Sequence, residues 1–323
     1  MGFRMEQKSN QALAHLISAP GFILPWLDRF YEPEERAWLE TLAVGKAGEV
    51  GIKAAADLGG MSVDRLLRRG VVRRDAEGTL LPADFHTRYD IWATFEGFKD
   101  IPEEIRDRLN QWELAYYIDR HQGDLALLAQ GKKPGPERVI PRYLLLDEAF
   151  AVVDEANRIY LWPCNCRSMM DRCSKPVFTC IRFENSQGQG YEISREKAKQ
   201  VIARANKKGL MQSGELGRDS DGNLTGAICN CCPDCCFPHL MATELKAEKV
   251  WPQTRYRAVR LKDACTDCAL CARRCPFHAF VYDRKKKKGH RLAFDDAQCR
   301  GCGLCEVTCP ADAIKMEKLD SLY

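Results

Sequence analysis

Apolar positions recur at helical spacing in several separate blocks of the first half of the chain. Pro33-Glu34-Glu35 offers a helix start with acidic residues in its first turn, and the pattern runs through Trp38 and Leu39 toward Val44. Val50 to Leu58 is a second short amphipathic stretch, stopped by Gly59-Gly60. Ser62 caps a third, with Val63, Leu66 and Leu67 apolar and Arg65, Arg68 and Arg69 outside. Gly70 ends it. Val71 to Arg74, the turn Asp75 to Gly78 and Thr79 to Pro82 then read as a β-hairpin. Helix, helix, helix, hairpin predicts a mostly helical, winged-helix-like unit over residues 1–100. Helical spacing over Ile105–Ile118 and Tyr143–Asn157, separated by the loop Gly131–Pro136, predicts a helical connector over 101–158. A cysteine-rich α+β module follows over 159–255, with one clear helix from Ser194 to Gly209, and a last domain occupies 256–323. The fold class expected is α+β and multidomain.

Composition changes the picture in one respect. Of 323 residues, 45% are hydrophobic and 29% charged, which excludes general disorder. The 17 cysteines, however, all lie between Cys164 and Cys309. A secreted disulfide protein rarely clusters its thiols this way or carries an odd number. Pro20, Gly21 and Pro25 interrupt the apolar stretch Ala12–Leu27, no run approaches the roughly 20 residues that span a bilayer, and no small-residue cleavage site follows. A cytoplasmic, metal-binding protein with no membrane span is therefore expected. A net charge of +4 does not by itself imply nucleic acid.

Cys265, Cys268, Cys271 and Cys275-Pro276 form C-x2-C-x2-C-x3-C-P, and the pattern recurs 34 residues later as Cys299, Cys302, Cys305 and Cys309-Pro310. In this spacing three thiolates wrap one cluster and the fourth cysteine reaches the other. Cys265, Cys268, Cys271 and Cys309 are thus expected to hold one [4Fe-4S] cube, and Cys299, Cys302, Cys305 and Cys275 the other. Gly301 and Gly303 let backbone N–H groups approach the second cube, where the first loop has Asp267 and Ala269. Four cysteines also suit zinc, but zinc ribbons use pairs of thiols and not this doubled pattern.

Nine cysteines remain in the middle module: Cys164, Cys166, Cys173, Cys180, Cys229, Cys231, Cys232, Cys235 and Cys236. Adjacent cysteines such as Cys231 and Cys232 point apart in extended chain, so both rarely serve one metal. A further [4Fe-4S] cluster, a structural zinc, or thiols and disulfides in redox chemistry are the three readings. Proximity in sequence favours Cys164, Cys166, Cys173 and Cys180 as one group, with Cys229–Cys236 as a second. His239 and His278 lie near cysteines; His278 is expected on the surface, because both cubes already have four thiolates. The run Lys285–Lys288 is expected at a hairpin tip, either as a solvated turn or as a dock for an acidic partner.

On these motifs residues 259–323 resemble a bacterial-type two-cluster ferredoxin domain. The wider chain resembles ferredoxin-like 4Fe-4S binding proteins of anaerobic bacteria and archaea. The matching pieces are Pro163-Cys-Asn-Cys-Arg167, Cys173, Cys180, the Ile193–Gly209 helix, Ile228-Cys-Asn-Cys-Cys232 and Cys235-Cys236. The resemblance implies an electron carrier, or the electron-wiring subunit of an anaerobic oxidoreductase. Its partners would be a flavoprotein, an acidic ferredoxin or a catalytic subunit. No G-x-G-x-x-G after a strand, Walker loop or H-E-x-x-H occurs, so a catalyst acting alone is not expected. The alternative is a redox-sensing regulator binding DNA through Arg65, Arg68, Arg69, Arg73 and Arg74; the interspersed Asp64, Asp75, Glu77 and Asp84 disfavour it.

Overall fold

The computed structural model describes residues 10–44, 60–75, 77–97, 100–135, 138–185, 188–287 and 289–319. The chain divides into two compact units. The first comprises 1–113 with 168–170 and 186–189; the second holds the remainder, including every cysteine.

In the first unit, helices Pro33–Val44 and Val63–Arg69 form where the periodicity placed them. Gly70 terminates the latter at φ +67°, a conformation suited to glycine, and Ile91 and the Thr87 backbone leave no room there for a Cβ. Ser62 occupies the N-cap position but makes no side-chain cap bond. Strands β1 (Val72–Arg74) and β2 (Leu80–Pro82) pair antiparallel as the expected hairpin, with Thr79 N–H donating to Asp75 across the turn at 2.7 Å. The amphipathic stretch expected at Val50–Leu58 lies outside the described residues. Asp84 caps helix Phe85–Phe95, accepting from Thr87 N–H at 2.8 Å. Its inner face packs Phe85 and Trp92 on Phe30, with ring centroids 5.0 and 4.4 Å apart. Arg65 and Arg69 are held by carboxylates: Arg65 by Glu32, and Arg69 by Glu35 at 2.7 Å and Glu96 at 2.8 Å.

The second unit is built on a six-stranded antiparallel sheet in the order β3-β7-β8-β5-β4-β6. The strands are β3 (Arg142–Leu144), β4 (Tyr160–Pro163), β5 (Phe178–Arg182), β6 (Tyr191–Glu192), β7 (Met211–Arg218) and β8 (Leu224–Cys231). Tyr143–Asn157 was expected to be one helix, but Arg142–Leu144 pairs with β7 and Leu145 is extended, so the helix is confined to Leu146–Glu155. Glu148 fixes that start by accepting from Leu145 N–H at 2.9 Å. Helix Arg195–Lys207, capped by Ser194, matches the Ser194–Gly209 expectation closely. These two helices cover one face of the sheet, where Ile181, Ile228, Ala149, Val153, Ala198 and Ile202 close a dry core. Alternation along β5 and β8 turns Cys180, Cys229 and Cys231 to the opposite face.

A buried amide ladder locks that end of the sheet: Asn206 donates to Gln212 (2.8 Å), Gln212 to Asn230 (2.9 Å), and Asn230 to the Thr179 carbonyl (2.6 Å). The C-terminal region adds β9 (Tyr256–Arg260) antiparallel to β12 (Ile314–Lys318), and a hairpin of β10 (Phe280–Tyr282) and β11 (Leu292–Phe294). Short helices Leu270–Arg274 and Leu304–Thr308 follow the two cysteine loops.

One partly buried ionisable pair, His86 and Glu113, should make the first unit sensitive to pH. Burial opposes charging His86, but its bond to the Glu113 carboxylate at 3.0 Å and the fields of Glu113, Asp90 and Asp84 outweigh that cost, so its pKa lies above the usual 6.5. A raised folded-state pKa stabilises fully below 6.5, and the contribution disappears as pH climbs through the folded value. The unfolding midpoint, followed by tryptophan fluorescence, should fall between about pH 6 and pH 8, and His86→Gln should flatten that slope. An unaltered slope in the variant would assign the dependence to other groups.

Candidate metal centres

The C-terminal cysteines gather as two sets. Cys275, although it closes the first motif, lines a small cavity together with Cys299, Cys302 and Cys305 of the second. Burial pushes the Cys302 thiol up to about 12 and Cys305 higher, and the nearby charges of Cys275 and Cys299 add to it. Cys271 is pushed up to about 11 by burial and by Cys265 and Cys268. Buried, mutually repelling thiols of this kind lose their protons only to a strong positive centre, which is the chemistry of an iron–sulfur cluster.

The two loops share one backbone shape but not one composition. Gly301 and Gly303 have φ of +67° and +73°, and a Cβ on Gly301 would collide with the Tyr256 carbonyl of β9. In the first loop Asp267 and Ala269 take up the same left-handed conformation, at +56° and +63°. Asp267 is buried, accepts from Gly289 N–H, and has a carboxylate oxygen 3.9 Å from the Cys265 sulfur.

The middle cysteines interleave. Of the expected group Cys164, Cys166, Cys173 and Cys180, Cys166 bonds Cys164 and also Cys236, and Cys236 lies 3.5 Å from Cys231. Cys180 pairs with Cys229 across β5 and β8. Cys173 meets Cys232 at 3.7 Å and Cys235 at 3.5 Å. Cys231 and Cys232, adjacent in sequence, thus contact different thiols. Within the chain of thiols, bonds from Cys164 and Cys236 draw Cys166 well below the ordinary thiol range, and bonds from Cys229 and Cys236 do the same for Cys231. Cys164, Cys180 and Cys236, bonded to neighbouring sulfurs and buried, are pushed well up. Phe237, first residue of helix Phe237–Glu244, directs its N–H at the Cys166 sulfur.

At this centre Tyr143 went unrecognised in the sequence, and His239 was noted only for its closeness to cysteines. Tyr143 is fully buried with Cys231, Cys236, Cys302 and Leu304 in one cluster, and its hydroxyl lies 3.3 Å from His239 Nε2. Burial, with the charges of Cys302, Cys231 and Cys236, raises the Tyr143 phenol well above 10. Burial holds His239 down to about 4, so it is a neutral imidazole and not a surface residue. No periodicity signals the role of Tyr143, which is set by long-range strand pairing. His278 is exposed, as expected.

Residues 264–313 match the 4Fe-4S dicluster domain family. The C-terminal region is therefore a ferredoxin-type 4Fe-4S domain. The chain is 38% identical over 60 residues to pyruvate synthase subunit PorD of Thermotoga maritima, covering 19% of this chain and 57% of that one. It is 40% identical over 57 residues to the PorD subunit of Methanothermobacter marburgensis, covering 18% and 60%. NADH-quinone oxidoreductase subunit I 2 of Streptomyces coelicolor is 33% identical over 78 residues, covering 20% and 40%. The chain thus spans at most 60% of the length of these relatives. By name, two of these relatives are subunits of a pyruvate synthase and one is a subunit of an NADH-quinone oxidoreductase. No helix among the described residues is long and apolar enough to cross a membrane.

The unequal loops can be tested by exchange. Ala269→Gly relieves a left-handed alanine and should raise resistance to unfolding by about 1 kcal/mol. Gly301→Ala should cost about 1–3 kcal/mol, through strain at positive φ and collision with β9. The midpoint of cluster bleaching in guanidinium checks both, and equal shifts for the two variants would refute the argument.

Proposed function

We propose that the chain is an electron-wiring protein in which three [4Fe-4S] clusters form one path. Two are the ferredoxin cubes, with crossed ligation: Cys265, Cys268, Cys271 and Cys309 on one, Cys299, Cys302, Cys305 and Cys275 on the other. The third is held by Cys164, Cys166, Cys231 and Cys236. Each cube supplies a one-electron site of low reorganisation. The observation that carries the reading is the single buried cluster in which Cys231 and Cys236 pack with Cys302 around Tyr143. It sets the middle thiols against the second cube through close-packed, water-excluding side chains, with Phe277 at 6.5 Å from the Tyr143 ring.

Within this path the protein's own groups hold positions and exclude solvent. Arg255 donates to the Tyr143 carbonyl at 2.8 Å and to Glu148 at 2.6 Å, and Tyr256 donates to Glu148 at 2.9 Å, so the start of β9 is tied to the sheet beside the path. Arg274, at the end of the helix carrying Cys271, donates to the Lys207 carbonyl at 2.7 Å and to the Asn206 carbonyl. Electrons enter or leave at a partner oxidoreductase or an acidic carrier. The exposed Lys285, Lys286 and Lys287 on the β10–β11 tip steer that partner by their local field. The ion pairs of Arg65 and Arg69 favour this reading over DNA binding, since those guanidinium groups already face carboxylates.

Anaerobically purified protein should contain about twelve irons and twelve sulfides, and Cys236→Ser should leave about eight. Cys309→Ser should erase the EPR signal of the cube based on Cys265, Cys268 and Cys271, and Cys275→Ser the signal of the other. If each substitution damages only the cube of its own motif, the crossing is wrong; eight irons in the intact protein would remove the third cluster. Changing Lys285, Lys286, Lys287 and Lys288 to Gln should leave the spectra intact, slow electron exchange with an acidic carrier and flatten its salt dependence. Unchanged rates at low ionic strength would make the run a solvated turn.

A further inference from the structure

Cys173, Cys232 and Cys235 stand apart from the path just described. Their sulfurs all lie within 4.8 Å of one another, two of the separations being 3.5 and 3.7 Å. Among the described residues no other group of three or more potential ligands is so compact. That contrast separates two kinds of site. In a cubane each thiolate binds its own iron, so the sulfurs are spread around the cluster. Among the described residues the ferredoxin cysteines and the Cys164–Cys166–Cys231–Cys236 set form no such trio, although Cys231 and Cys236 lie 3.5 Å apart. Thiolates on one tetrahedral ion, with a metal–sulfur bond of about 2.3 Å, sit about 3.8 Å apart, the edge of the tetrahedron. Cys173, Cys232 and Cys235 are already at that spacing.

Sequence and charge agree. Cys232-Pro233-Asp234-Cys235 is a C-x2-C chelate, and the backbone N–H of Cys235 points at the Cys232 sulfur. Cys232 and Cys235 are fully buried, whereas Cys173 is half-buried at the rim. Lys175 and Asp234 join the two ligand loops on the outside at 3.4 Å. Beneath the sulfurs lies Arg167, 2% exposed. Its guanidinium donates to the Pro176 carbonyl at 2.6 Å, to Thr179 Oγ1 at 3.1 Å and to the Asn230 carbonyl at 2.8 Å, and it also bonds the Cys232 sulfur. Among the described residues no carboxylate pairs with it; the charges facing it are those of Cys164, Cys232 and Cys173. A buried cation needs a counter-charge. Three thiolates on a divalent ion carry one net negative charge, which Arg167 neutralises.

We propose that Cys173, Cys232 and Cys235 bind a single divalent zinc ion as a three-thiolate site, with Arg167 as its counter-charge and a solvent molecule as fourth ligand on the Cys173 side. The site is separate from the clusters and does not depend on the electron-transfer reading. Zinc keeps these thiols from recruiting iron and clamps the 171–175 turn to the 232–235 turn.

The test uses the full chain purified anaerobically. Metal analysis should give about one zinc per chain beside the iron, and zinc X-ray absorption should show three sulfur scatterers and one lighter atom. Cys173→Ala and Cys235→Ser should each remove that zinc while iron content and EPR spectra stay as they were. Cobalt supplied in place of zinc should give thiolate-to-metal charge-transfer bands that both variants lack. A zinc-free protein in which Cys235→Ser lowers iron by a cluster's worth would overturn the proposal. So would zinc bound by four sulfurs, or zinc retained by both variants. Should a variant misfold, the absorption measurement on the unaltered chain decides.

Discussion

The arrangement of the second unit depends on the alternation of side chains where β8 ends. Ile228 and Asn230 face the helix-covered core, Cys229 and Cys231 face the other side, and Cys232 then leaves the strand in a new direction. Two neighbouring thiols are thereby sent to different sites, one toward Cys236 and Tyr143, the other toward Cys173 and Cys235. A slip of one residue in the β7–β8 register would exchange the two faces. The Met211↔Cys231 pairing and the amide ladder through Gln212 and Asn230 make that slip costly, because it would leave three buried amides unsatisfied.

The same register explains why the ferredoxin-type domain and the sheet form one unit. Tyr143 enters β3 opposite Ser213, and Ser213 lies opposite Cys229 in turn, so phenol, hydroxyl and thiol line up across three strands. The carbonyl of Tyr143 takes Arg255, whose other bond goes to Glu148. Glu148 is half-buried; burial disfavours its charge, but Arg255, the Leu145 N–H and Tyr256 hold it ionised below the usual carboxylate range. One carboxylate therefore starts a helix, ends a loop and anchors β9.

Much of this was legible in the chain, and the reason differs by region. The doubled C-x2-C-x2-C-x3-C-P motif is a local signal, since each loop is short and its ligand spacing is set by covalent geometry; it marked the 4Fe-4S domain directly. Helices with a local start signal, such as Arg195–Lys207 behind Ser194, were also readable to within two residues. The contacts among the middle cysteines were less so: proximity in sequence favoured Cys164, Cys166, Cys173 and Cys180, and the fold also brings together thiols more than fifty positions apart, as with Cys173 and Cys232. Tyr143 illustrates the same limit: its neighbours suggested a helix, and only the partner strand makes it extended.

What distinguishes the thiol sites physically is the source of positive charge. Cys302 and Cys305 are buried beside one another, and burial leads the forces keeping them protonated. A bound metal centre supplies the charge that ionises them. Cys232 has a different supply: a bond from Cys235 comes first, then the field of Arg167, and together they draw its thiol down to about 5 despite burial. A thiolate prepared by a fixed guanidinium carries its compensation whether or not metal is bound, whereas a thiolate made by cluster iron does not. At the Cys173–Cys232–Cys235 corner that guanidinium is held in place by the Pro176 and Asn230 carbonyls and by Thr179 Oγ1.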